Sequence, residues 1–268
     1  MIPNISNKTL QDLEFATVLQ HVAEHCITGL GKESVFETTP ISYKKGLFKE
    51  LNLVNEYLSS FQSENRVPNH GFDDVTESVK RLKIENSFIE TTAFLKIAAT
   101  SLTVNEHLKF FKKFKVQFPT FFDLTEKIEF TSYIDDEIKK IIELSGEVKN
   151  NASSSLKQIR KDINHVRGKI GASFTSALSK SIGAGFLDDI KETVIDNQRV
   201  LAVKAMYRRK VSGSLLGSSK SGGIVYIAPQ ATLAYSREYQ NLVYEEKQEV
   251  VKILRELATT IRPMTSLL

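Results

Sequence analysis

Positive charge is concentrated in one interval of this chain, between Asn197 and Arg237. The interval contains no Asp or Glu, although the 268-residue chain as a whole has a net charge of only +4. A local group of bases without acids indicates a polyanionic partner better than a high overall pI does. We therefore predict contacts with nucleic-acid phosphates; the alternative is a solvated hairpin whose bases only keep it soluble. The predicted contact residues are Arg199, Lys204, Arg208, Arg209, Lys210 and Lys220.

A second set of bases precedes this interval, on a segment with helical periodicity. Charge on a helix commonly just faces solvent, but here it leads toward the basic interval, which favours a shared surface. Such contacts would be made to phosphates and would give affinity without reading the base sequence. The additional predicted contact residues are Lys157, Arg160, Lys161, Arg167 and Lys169.

Three other patterns suggest chemistry that we do not assign. His21–His25 matches the His-x-x-Glu-His pattern of inverted zinc peptidases, but no further carboxylate ligand stands out nearby. Gly29–Lys32 lacks the Ser or Thr that follows the lysine of a phosphate loop, so a glycine turn ending a helix is predicted. Cys26, the single cysteine, is predicted to be buried and structural. We predict no catalytic, cofactor or metal site.

The elements that would position the bases are mainly helical. Apolar residues recur at helical spacing through residues 1–132, which also contain many of the 16 Phe and predict a packed helical domain. No secretory leader and no apolar run of about 20 residues is evident, so a cytoplasmic protein without a membrane segment is predicted.

Two long helices are predicted to flank the basic interval. The first begins at Ser153 or Ser154 as N-cap and ends at Gly183 and Gly185. Its near-heptad apolar stripe is Leu156, Ile159, Ile163, Val166, Ile170, Phe174, Ala177 and Ile182. The second carries the stripe Tyr239, Leu242, Glu246, Val250, Ile253, Leu257 and Ile261, in which Glu246 is the polar exception. Matched lengths predict an antiparallel coiled-coil arm with the intervening segment at its tip.

The intervening segment is predicted to form three or four short antiparallel strands. Residues 192–196 and Arg199–Tyr207 are rich in β-prone residues, and Asp196 and Asn197 between them indicate a tight turn. The Gly/Ser-rich stretch Ser212–Gly223 is predicted to be a mobile connection; the alternative is a phosphate nest, which the presence of Lys220 favours. Ile224–Ala228 is a β-branched run stopped by Pro229.

Several segments, in this order, resemble the MutS superfamily, and most closely its second bacterial branch (MutS-II), which is linked to recombination control. The resemblance covers most of the chain. The segments are Leu13–Phe15, Gly31–Lys32, Gly146–Arg160, Asp196–Lys204, Tyr207–Gly213, Ser218–Gly222, Ile224–Pro229 and Glu245–Leu254. Two positions depart from the family pattern: Leu216-Gly217 replaces a His-Asp pair, and Ala228 replaces a Glu before the proline.

The resemblance implies a mainly α fold: a helical core domain and a long antiparallel helical lever that carries a small antiparallel β clamp. The implied boundaries are 1–132 for the core, 133–182 with 233–268 for the lever, and 183–232 for the clamp. The ATPase of the family, with its Walker A loop, would follow this segment, so ATP and Mg²⁺ are expected outside it.

The implied function is non-catalytic binding of double-stranded or branched DNA by a DNA repair or recombination-control ATPase. The longer protein would be a homodimer, with an association with ribosomes as in some family members. The competing hypothesis is a coiled-coil interaction arm that binds a partner protein or ribosomal RNA.

Overall fold

The computed structural model describes residues 5–266, and their contacts divide the chain into two units. The first unit comprises Met1–Lys149 and Ile253–Leu268, and the second comprises Asn150–Lys252. The domain boundaries implied by the family resemblance stay a prediction.

The first unit is helical. Its elements are α1 (Asn7–Asp12), α2 (Phe15–Glu24), α3 (Gly29–Phe36), α4 (Lys44–Ser60), α5 (Thr76–Leu82), α6 (Thr91–Lys113), α7 (Pro119–Thr125) and α8 (Tyr133–Ile141). The returning chain from Ile253 ends in a 3₁₀ helix, Arg262–Ser266.

The glycine turn predicted at Gly29–Lys32 is wrong, because these residues begin α3. The side chain of Thr28 accepts a hydrogen bond from the amide of Gly31 at 3.0 Å and caps the helix. A capped first turn is stable even with glycine in it, because the side chain satisfies an amide that has no partner within the helix. The prediction of a buried Cys26 is also wrong, since the thiol is only half-buried.

The core of the first unit forms where α5, α6 and α8 meet the returning chain. Phe94 and Ile138 are fully buried, as is Ile261. Arg262 fastens the C-terminal segment, since its Nε donates to the carbonyl of Leu82 at 2.9 Å. A packed helical core is therefore present, but α8 and the returning chain, which lie outside the predicted residues 1–132, contribute to it.

A buried carboxylate in this unit was not predicted from the sequence. Glu56 on α4 is only 8% exposed. Its carboxylate accepts hydrogen bonds from the amide of Thr120, at 2.9 Å to Oε1 and 3.1 Å to Oε2, and from the amide of Phe121, at 3.1 Å to Oε2. These amides belong to the first turn of α7, where they have no partner within the helix. Glu56 therefore caps α7 from a helix that lies 64 residues earlier in the chain.

The second unit is built on two long helices. Helix α9 (Ser154–Gly183) begins where predicted, with the hydroxyl of Ser153 accepting the amide of Leu156 at 2.9 Å. It ends as predicted, with Gly185 following in the left-handed region at φ +69°. Helix α10 (Gln230–Ile261) begins in this unit and continues into the first.

Side-chain contacts show that α9 and α10 run antiparallel within this unit. Ser153 forms a hydrogen bond with Glu249, Arg160 with Glu246, and Arg167 with Tyr239. Residue numbers along these pairs rise on the α9 side and fall on the α10 side, so the two helices run in opposite directions. The antiparallel pairing predicted from the two stripes is confirmed at the level of these contacts.

One position of the first stripe was assigned wrongly. Ile182 is 43% exposed, whereas Ser181 is 6% exposed. Ser181 follows Ala177 by four residues and therefore stays on the same face of the helix, whereas a step of five leaves that face. Its hydroxyl donates to the carbonyl of Ala177 at 2.8 Å, which makes the burial tolerable.

A small antiparallel sheet lies between the two helices in the chain. Its strands are β1 (Leu187–Ile195), β2 (Gln198–Lys204), β3 (Gly213–Ser218) and β4 (Ile224–Pro229), in the spatial order β1-β2-β4-β3. All three pairings are antiparallel. Asp196 and Asn197 form the β1–β2 turn at φ +48° and +61°, as the turn signal predicted.

Two strand predictions were wrong in extent. The strand from Arg199 ends at Lys204, and Ala205–Lys210 forms a 3₁₀ helix instead. The Gly/Ser-rich stretch contains β3 rather than only a connection. Glycine is required at Gly213, because a Cβ there would lie 2.1 Å from the carbonyl oxygen of Ala228.

One face of the sheet packs on the second half of α9. Phe174 is buried against residues of three strands: Leu187, Leu201, Val203, Val225 and Ile227. This apolar cluster fixes the sheet on α9, and with it the basic residues that β2 and the 3₁₀ helix carry.

Candidate nucleic-acid interface

Four predicted contact residues line one groove beside α9. Lys157, Arg160, Lys161 and Arg167 follow one another at helical spacing and therefore share a face of the helix. The groove has a volume of about 440 Å³, and its other polar lining residues are Asn150, Asn164 and Glu246. We call it the helix groove. With four bases and one acid it carries net positive charge and could bind phosphates.

Arg160 is already paired inside the helix groove. Its Nε lies 2.7 Å from Oε1 of Glu246, and the two side chains are 26% and 27% exposed. Its guanidinium also donates to the side chain of Asn150. This ion pair explains why a polar residue interrupts the apolar stripe of α10: Glu246 meets a base of the facing helix.

Arg167 and Lys169 contact tyrosines of α10. The guanidinium of Arg167 lies 5.7 Å from the ring centre of Tyr239 and donates to its hydroxyl at 3.2 Å. This hydrogen bond is the main reason that the pKa of Arg167 is raised above its usual value, so its charge is secure. Lys169 lies 5.6 Å from the ring centre of Tyr235.

Arg199 contributes to the packing of the sheet. It bonds both oxygens of Glu192, at 2.7 and 3.0 Å, and its guanidinium lies 4.2 Å from the ring centre of Phe174. Glu192 therefore offsets its charge locally, while the guanidinium covers the edge of the apolar cluster. Its role as a nucleic-acid contact stays a prediction.

The remaining bases of the interval are exposed. Arg208, Arg209 and Lys210 end the 3₁₀ helix, Lys204 ends β2, and Lys220 lies in the turn between β3 and β4. Within residues 5–266, no ion pair engages any of these five side chains. Their charges are therefore open to a partner, unlike those of Arg160 and Arg199.

Lys210 also lines a second groove, where it is joined by Lys180, which was not among the predicted residues. We call this the sheet groove. Lys180 lies in the last turn of α9, well before the acid-free interval begins at Asn197. Its only signal in the sequence was that it extends the series of bases on α9.

The His-x-x-Glu-His pattern lies at the C-terminal end of α2. Between residues 5 and 266, no three His, Cys, Asp or Glu side chains are grouped so that they could hold a metal ion. His21 lies in the last turn of α2 and His25 is its C-cap. In the same described part of the chain, no helix combines the length and apolarity needed to cross a bilayer.

Comparison with known proteins finds relatives along almost the whole chain. This chain is 27% identical to the putative endonuclease MutS2 of Bacillus subtilis over 256 residues. The match covers 94% of this chain and 32% of the Bacillus protein. The chain is 26% identical over 257 residues to the endonuclease MutS2 of a Geobacillus species, covering 95% of this chain and 33% of that protein. The corresponding protein of Lactobacillus acidophilus is 27% identical over 260 residues.

The chain thus spans about a third of the length of the curated relatives it matches. No family model matches it. The similarity extends through both units, including the two long helices and the sheet between them. Together with the fold, these relatives support a relation of this chain to the MutS family.

Proposed function

We propose that the second unit binds double-stranded or branched DNA through its phosphate backbone and acts as the clamp and lever of a MutS-like protein. The observation that carries the proposal is the group of exposed bases in an acid-free interval, Lys204, Arg208, Arg209, Lys210 and Lys220. Bases that have no acids beside them in the chain attract phosphates over a distance. When they bind, the DNA releases the counterions that had neutralised those phosphates. The helix groove would extend this surface along α9.

The proposal gives this chain a holding role and no catalytic step. The relatives are named endonucleases, and we assign any cutting or ATP hydrolysis to parts of a longer protein. The family resemblance further suggests that such a protein closes around DNA as a homodimer. Sedimentation of the longer protein with and without ATP and Mg²⁺ would test this, and a monomer under both conditions would contradict it.

The central test reverses three adjacent charges. Arg208→Glu, Arg209→Glu and Lys210→Glu together should abolish binding of labelled duplex DNA in fluorescence anisotropy at physiological salt, and leave only weak binding at low salt. If the three bases each contact a phosphate, the log–log salt slope should become shallower by about 2.7, at about 0.9 per contact. Far-UV circular dichroism should stay unchanged, since all three side chains are exposed.

A matched control reverses three exposed lysines of the first unit, Lys112, Lys113 and Lys115. It changes the net charge by the same amount and should leave duplex binding nearly intact. Equal binding by the two triple variants would refute the proposed surface.

The competing function is an arm that holds ribosomal RNA or a partner protein. Competition between duplex DNA and structured RNA at one salt concentration separates the two nucleic acids. A preference for RNA above about tenfold, or about 1.4 kcal/mol, would favour the competing function.

A further inference from the structure

The sheet groove is formed by three elements of the second unit that are fastened to one another. Its walls come from the last turns of α9, from the segment between the 3₁₀ helix and β3, and from the start of α10. The amide of Gln230 donates to the carbonyl of Ser212 at 3.0 Å, which joins the second wall to the third. Buried Thr232 donates to the carbonyl of Pro229 at 2.8 Å, which fixes the first turn of α10. The groove is thus built before any ligand arrives.

The polar lining of this groove favours an anion. Lys180 and Lys210 line it together with the hydroxyls of Ser176 and Ser212, and no acidic residue is among its lining residues. Neither lysine takes part in an ion pair within the described part of the chain. Helix α10 begins here, so its first-turn amides add partial positive charge. Two lysines beside hydroxyls match the oxygens of a phosphate.

The remaining lining favours a planar apolar group. Phe186 and Tyr235 line the groove, and the ring of Phe186 is supported by Tyr207 at a centroid distance of 5.0 Å. Aromatic side chains stack with nucleobases without regard to base identity. The groove volume is about 590 Å³. This size lies in the range of small-ligand sites, roughly 300–1,000 Å³, and is too small for a duplex.

We propose that the sheet groove binds a single nucleoside phosphate, with its phosphate between Lys180 and Lys210 and its base against Phe186 and Tyr235. The ligand has two sources: a free mononucleotide, or an unpaired nucleotide of a DNA strand held by the surrounding bases. The second source rests on the proposed function, whereas the first does not.

Two variants of the full chain test the groove without disturbing the core. Lys180→Glu reverses a lining charge, and Ser176→Trp fills the space from an exposed position on α9. Their matched controls are Lys191→Glu on β1 and Thr175→Trp on α9, which are exposed and do not line the groove. The probes are deoxyadenosine monophosphate with a fluorescent ribose label, a duplex with one unpaired 2-aminopurine nucleotide, and the same duplex fully paired.

Both groove variants should weaken mononucleotide binding by about tenfold or more. For Lys180→Glu this is the loss expected for one charge-assisted contact, and for Ser176→Trp it follows because the indole occupies the space of the ligand. They should also lower the ratio of affinities for unpaired and fully paired DNA by a similar factor. A loss with only one probe supports the groove and identifies the source of the nucleotide. The controls should stay within about twofold of the parent, well below the effect of one such contact.

The proposal is overturned if the groove variants bind both nucleotide probes as the controls do. Failure of the proposed function would look different. The parent protein would then not bind the fully paired duplex, but it would still bind the mononucleotide, and that binding would still depend on Lys180.

Discussion

The ion pair inside the helix groove leads to a prediction with two opposite effects. Among the residues that the structure describes, Glu246 is the only acid that lines this groove, and its carboxylate lies 2.7 Å from Nε of Arg160. Glu246→Gln keeps the size of the side chain and its ability to accept a hydrogen bond from Arg160, but it removes the negative charge. We expect duplex DNA to bind more tightly while the helix pair becomes less stable.

The magnitude follows from the position of Glu246. A phosphate bound about 6 Å from its carboxylate would be repelled by about 0.7 kcal/mol at the dielectric constant of water and by about 3 kcal/mol at an effective value near 20. Salt screening favours the lower part of this range, so a gain in affinity of about threefold to tenfold is expected. Because Gln can still accept a hydrogen bond from Arg160, only the charge assistance of that bond is lost, which should cost about 1 kcal/mol of the free energy of unfolding.

Anisotropy titrations over a series of salt concentrations measure the first effect, and urea denaturation measures the second. The log–log salt slope should become steeper by about 0.9, because the charge of Arg160 is no longer neutralised by Glu246 and can offset one more phosphate. Glu245→Gln is the control: Glu245 is exposed and does not line the groove. If Glu246→Gln binds DNA no better than Glu245→Gln, phosphates do not enter the helix groove.

Two further predictions concern contacts between elements. Glu56→Gln should lower the free energy of unfolding of the first unit by about 2 kcal/mol, because an amide group would face the donors of Thr120 and Phe121; hydrogen exchange of those two amides measures it. Glu50→Gln, at an exposed position of the same helix, is the control, and equal exchange in both variants would contradict the capping role. Gly213→Ala should destabilise the sheet by about 1–3 kcal/mol in urea, because its Cβ would overlap the carbonyl oxygen of Ala228. Gly217→Ala is the control, because its Cβ would lie 3.8 Å from the ring of Tyr226, which is an ordinary contact, and it should cost little stability. An equally small loss of stability for Gly213→Ala would show that β3 can shift to relieve the overlap.

Much of the fold could be predicted because it depends on local signals. The hydroxyl of Ser153 caps the helix whose periodicity follows it, and Asp196 and Asn197 adopt the left-handed backbone of a tight hairpin turn. Both outcomes depend on residues within a few positions, so they can be recognised in the chain itself. One error arose where two local signals compete: at Gly29, the cap at Thr28 outweighs the cost of glycine in a helix.

The positions of the bases, and the scarcity of acids among them, can be read directly from the chain. Which of these charges remain open to a partner depends on how the chain folds. Arg160 is paired with Glu246, 86 positions away, because the register of two antiparallel helices brings them together. Arg199 is paired with Glu192 because the β1–β2 turn places them on neighbouring strands, above Phe174. Lys180 joins Lys210 because the sheet packs on α9. Periodicity and composition report neighbours along the chain, whereas ion pairing and grooves depend on distances across it.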